Sequence, residues 1–170
     1  MTLPEVLDVI ERLLNAAEHP DIVRVERYGT GAEAWGPTVE KSQVKTVTGV
    51  KVHHQSTSSA SLWGSNRSDL TPVEAPEMPA PGLRGPRLAI LTVRLLDVAR
   101  PPQFSGWQLF SVAELAGAGE GLPFAVGITC ADGSRVLLQA SSTGASVGRE
   151  PDVEPFPDYV VPEGLAAAVR

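Results

Sequence analysis

Leu3, Val6, Leu7, Ile10, Leu13, Leu14 and Ala17 recur at the spacing that places them on one face of an α-helix. A helix with a single apolar stripe must bury it against something else, and this demand shapes the rest of the reading. Thr2 and Glu5 stand three apart, as a capping box requires, and Pro4 falls in the first turn, where no backbone donor is needed. The helix should stop before Pro20. Beyond Asp21 the period changes from that of a helix to that of a strand. In "IVRVERY" Ile22, Arg24, Glu26 and Tyr28 share one side and Val23, Val25 and Arg27 the other, so residues 21–28 read as a strand. The partner that the helix needs is therefore a sheet.

Strand patterns continue down the chain. A glycine-rich loop, "GTGAEAWGPTVEKSQ", leads into "VKTVTGVKVHHQ", with a bulge expected at Gly49, a turn at "STS" and a return through "SASLW". Residues 64–86 are dense in proline and glycine and read as a long internal loop. "RLAILTVRLLDV", 87–98, is aliphatic and β-branched between Pro86 and Pro101 and reads as a buried strand, with a helix as the rival. "WQLFSV" suggests a short strand and "AELAG" one helical turn. "PFAVGITCADGSRVLLQAS", 123–141, is a hairpin turned by Asp132-Gly133. The expected fold class is α+β: an N-terminal amphipathic helix packed on a mainly antiparallel sheet built from hairpins, within one domain over 1–149. Residues 150–170 form an acidic, proline-rich tail whose end can make a short helix opened by Pro162.

The two hairpins overlay at an offset of 76 residues: Val50 on Val126, Val52 on Ile128, His54 on Cys130, Ala60 on Val136 and Leu62 on Leu138. The apolar pattern agrees while the polar identities differ, as sheet geometry alone would require. Alternation also separates His53 from His54, which point to opposite faces of a strand. Zinc needs three or four protein ligands, and the other candidates are only His19 and Cys130, so no metal site and no cofactor are expected.

The net charge of −6 is not evenly spread. Residues 1–100 hold 11 basic and 12 acidic groups, and residues 101–170 hold 3 and 8. The acidic C-terminal part argues against nucleic acid as a partner. No apolar run is long enough to span a bilayer, the start of the chain lacks the basic region of a secretory signal, and the one cysteine fits a reducing cytoplasm.

Catalytic patterns are incomplete. Ser42 and Lys45 have the spacing of serine acyl-enzymes but lie in a strand context, facing opposite ways. "GAGEG", 117–121, lacks the Lys-Ser/Thr of a phosphate loop. The one enzyme-like pairing is Cys130 with His54. Trp35, Trp63 and Trp107 could together make a binding platform. Glu150, Asp152, Glu154 and Asp158 form a strip that would suit a basic protein surface. The expectation is a non-catalytic cytoplasmic protein-binding module, of the accessory, immunity-like or assembly-subunit kind, with self-association left open. The alternatives are a small Cys/His hydrolase or transferase, and a small-molecule binder with a pocket between helix and sheet.

Overall fold

The computed structural model describes residues 1–29, 47–56, 58–112, 122–143 and 150–170. Helix α1 (Leu3–Ala16) is followed by strands β1 (Ile22–Tyr28), β2 (Gly49–His54), β3 (Ser59–Ser65) and β4 (Leu70–Val73). Then come helix α2 (Arg84–Ala99), strands β5 (Phe104–Val112), β6 (Ala125–Cys130) and β7 (Arg135–Thr143), and a 3-10 helix over Glu163–Val169. The strands form one antiparallel sheet in the order β1-β2-β3-β7-β6-β5-β4. The fold is α+β, as the patterning demanded.

Helix α1 begins with the expected capping box, the Thr2 N–H donating to Glu5 Oε2 at 2.6 Å. Its stripe is buried from Val6 to Ala17, with Leu3 half-buried, on β1 and β2 and against α2 and the 3-10 helix. The Asp132-Gly133 turn is also present, Gly133 taking the positive φ of 84° that the β6–β7 connection needs. The expected bulge at Gly49 is instead in β1, where the register shifts between Ile22 and Arg24. Gly49 serves a different purpose: a Cβ there would stand 2.4 Å from the Tyr28 hydroxyl and 2.5 Å from the Leu62 carbonyl oxygen, so only glycine lets the Tyr28 ring lie across β2.

Two further expectations are corrected. Residues 87–98 are not a strand but most of α2. Leu88, Leu91, Leu95 and Ala99 already follow helical spacing, and Pro86 sits in the first turn, where its missing donor costs nothing. The run looked like a buried strand because α2 is wedged between the sheet, α1 and the 3-10 helix, which buries Ile90 and Val93 as well. Within 64–86, residues 70–73 form strand β4, which tolerates Pro72 because it lies at the edge of the sheet. The "AELAG" turn and residues 30–46 lie outside the described residues.

The repeat extends beyond the hairpins to the helix and strand ahead of each. The β2–β3 and β6–β7 hairpins keep matching registers at the 76-residue offset, Val50 facing Leu62 as Val126 faces Leu138. Ahead of the hairpins the offset is 82. The buried stripe Val6, Leu7, Val9, Ile10, Leu13, Leu14 and Ala17 maps onto Leu88, Ala89, Leu91, Thr92, Leu95, Leu96 and Ala99, all buried. Both helices end at a left-handed non-glycine residue, Glu18 (φ 48°) and Arg100 (φ 42°). The bulge at Ile22/Arg24 recurs at Phe104/Gly106. The two αβββ halves meet through β3 and β7, where Leu62 faces Ala140 and Gly64 faces Leu138, placing a pseudo-twofold axis at the Trp63–Gln139 pair.

Candidate functional site

Two regions carry polar chemistry. The first is a buried ion cluster at one end of the helical layer. Arg84, the first residue of α2, is 4% exposed. One guanidinium nitrogen donates to Asp21 Oδ2, and the other to Glu150 Oε2 at 2.6 Å and to Ser56 Oγ at 2.8 Å. Burial works to raise the Asp21 carboxyl, but His54 and Arg84 outweigh it and hold the group down at about 2. Arg87, one turn on, donates to Glu154 Oε2 at 2.5 Å. Tyr159 donates to the Ala17 carbonyl at 2.7 Å, its ring 4.2 Å from that of His19, and Leu165 and Val169 enter the core. The C-terminal segment is therefore strapped over both helices.

His54 completes this cluster. Its Nδ1 stands 3.3 Å from Asp21 Oδ2, outside hydrogen-bond geometry, and neither ring nitrogen has a hydrogen-bond partner among the described residues. The adjoining cavity, walled by His19, Asp21, His54, Met78, Arg84 and Arg87, measures about 30 Å³. That is room for one water molecule and too little for an organic substrate. Burial pushes His19 below its usual value, opposed by the nearby Asp21 carboxylate. A neutral His19 packs against Phe156 and Tyr159, and this contribution is lost as pH falls below the ordinary histidine value of about 6.5.

The second region is the sheet face opposite the helices. Alternation from the helix-facing residues places Tyr28, Lys51, His53, Ser61, Trp63, Gln139, Ser141, Gln108 and Phe110 on it. No described helix or strand lies across this face. Trp63 Nε1 donates to Ser141 Oγ at 2.9 Å, and the Phe110 ring lies over Gly127. Toward β4 the face forms an open groove of about 660 Å³, walled by Ser65, Arg67, Gln108, Phe110, Gly127 and Arg135.

The residues singled out from the sequence are dispersed. His54 and Cys130 occupy equivalent positions in the two halves, each the last residue of its strand, β2 or β6; these strands run in opposite directions with β3 and β7 between them, so the Cys/His pair does not meet. Cys130 is 1% exposed. Cys130→Ser should lower stability by about 1–3 kcal/mol in denaturant titrations, because it buries a hydroxyl in an apolar setting. A thiol reagent should label native Cys130 only at the rate of unfolding, and fast labelling would contradict its burial. Trp63 lies half-buried on the face opposite the helices, whereas Trp107 lies on the helical face, donating to Asp97 of α2 at 2.8 Å, so the two do not share a platform. Trp35 lies outside the described residues. Glu150 and Glu154 are held internally by Arg84 and Arg87, which leaves Asp152 and Asp158 as the exposed acids of the strip. Among the described residues no three His, Cys, Asp or Glu side chains are placed to hold a metal ion, and no helix is long and apolar enough to cross a membrane.

The Asp21–Arg84–Glu150 network was missed in the sequence. One signal was available: Arg84 and Arg87 lead directly into the uncharged run Leu88–Val93, and charges drawn into the core with such a run need acids to meet them. Comparison of the chain with protein-family models, with curated proteins and with solved structures found no match.

Proposed function

We propose that this chain is a non-catalytic, cytoplasmic protein-binding module, an accessory or assembly subunit, that engages its partner through the sheet face opposite the helices. One observation carries the reading. That face carries Tyr28, Trp63 and Phe110, each half-buried, among hydroxyl and amide side chains, with no described helix or strand packed on it. Aromatic rings with polar surroundings suit protein interfaces, since they bury much area at little cost in side-chain freedom. The chemistry of the buried cluster supports the same reading, because its histidine and carboxylates enclose space for a water molecule alone. The exposed acids Asp152 and Asp158 belong to the strap on the opposite side and act at most at a rim.

A photo-crosslinking residue placed at Gln108 or Gln139 should capture one partner in cells. The same residue at Arg94, on the exposed side of α2, should not. Capture from Arg94 alone would turn the reading to the helical face. A second reading, small-molecule binding, is favoured by the groove of about 660 Å³, a size typical of ligand sites. Native mass spectrometry showing a stoichiometric low-mass adduct, lost in Phe110→Trp, would select it.

A further inference from the structure

We propose that two copies of this chain associate through the outer edges of their β1 strands, continuing the sheet across a twofold axis at Val25. The inference rests on β1 alone and stands apart from the open-face reading. The internal repeat makes β1 and β5 equivalent, each the outer strand of its half. The outer edge of β5 is taken by β4, which pairs with it antiparallel. Among the described residues no strand pairs with the outer edge of β1. Such an edge carries unsatisfied backbone donors and acceptors and is a template for another strand.

The side chains of β1 say which strand it accepts. Antiparallel pairing about Val25 sets Arg24 of each copy opposite Glu26 of the other and Val25 opposite its twin. Moving the axis to Arg24 or to Glu26 sets like charges opposite each other. These are the neighbouring registers that keep both helical layers on one side, because opposed residues of antiparallel strands share a face. The sequence around Val25 is thus complementary to itself in one register and repulsive in the next. Within one copy Arg24 and Glu26 stand 2.9 Å apart and Glu26 also meets His53 at 2.9 Å, all on the exposed surface. A second copy lets each carboxylate exchange an exposed intrastrand partner for one across the axis. Charges on an edge usually repel foreign strands. Here two opposite charges flanking a valine exclude unrelated strands and admit this one.

The test uses the full chain in sedimentation velocity over a wide concentration range, with a melting curve for each variant. Wild type is expected to dimerise. Arg24→Glu and Glu26→Arg, each alone, should weaken dimerisation about tenfold or more without unfolding the protein, because each sets like charges across the axis. The double reversal Arg24→Glu/Glu26→Arg should restore it. Mixing the two single variants should also restore dimers, since one edge is then wholly acidic and the other wholly basic. A wild type that stays monomeric throughout, a dimer indifferent to both single reversals, or a mixture that fails to associate would each overturn the proposal.

Discussion

Replacing Arg84 with methionine lowers the unfolding free energy by about 3–5 kcal/mol, the range for breaking a buried ion pair while leaving its partner charged. Arg84 is 4% exposed and Asp21 5%, so the orphaned carboxylate keeps little contact with water. Ser56 and Glu150 lose the guanidinium at the same time, which weakens the hold on the start of the C-terminal strap, where the Ser56 hydroxyl still donates to Glu150 at 3.1 Å. The effect depends on pH with a definite sign. The Asp21 carboxyl is held at about 2 in the folded protein, below its ordinary 3.8. Its contribution is complete above about pH 4 and fades as pH falls through about 2. The gap between wild type and Arg84→Met should therefore narrow across that acid window. Denaturant titrations at several pH values measure it, and a gap that stays constant would show that lost packing, not lost charge pairing, is the cause. Adding Asp21→Asn to Arg84→Met should recover part of the loss, because the stranded charge is gone.

Leu14→Ala and Leu96→Ala should each cost about 2–5 kcal/mol, and by similar amounts. The two leucines occupy the same place in the two halves, 1% and 0% exposed, on the inner faces of α1 and α2. Each fills the space between its helix and the sheet, and close-packed surroundings collapse only partly around a truncated side chain. Chemical unfolding curves of the two variants provide the comparison. A loss below about 1 kcal/mol at one site alone would mean that the halves are alike in backbone and unlike in packing.

The sequence made the local geometry legible wherever one period dominated. The α1 stripe, its capping box, the Asp132-Gly133 hairpin and the 76-residue overlay all follow from spacing. It misled where burial on several sides hid the period. In α2 both Ile90 and Val93 are buried beside the leucine stripe, so the run reads as uniformly apolar. The repeat held the remedy, since a strand 82 residues after α1 would have broken a correspondence that runs on through Ala99 and Arg100. The candidate site was less legible because it is assembled from distant segments. Asp21, Ser56, Arg84 and Glu150 belong to three loops and a helix start, and no local pattern joins them. The tryptophans show the same limit: which side of the sheet each occupies depends on its own strand's register.

The seam between the halves also sets a timetable for folding. Each hairpin closes over a few residues, whereas Leu62 must find Ala140, 78 positions along the chain. Closing the longer loop costs roughly 2 kcal/mol more in chain entropy, so the two halves should gather locally before they dock. The strand that completes the seam is β7, the last of the seven. Until it has been synthesised, β3 stands as an open edge beside the apolar residues Val50, Val52 and Leu62. The nascent N-terminal half is thus the aggregation-prone species of this molecule, and β7 is the element whose arrival ends that exposure.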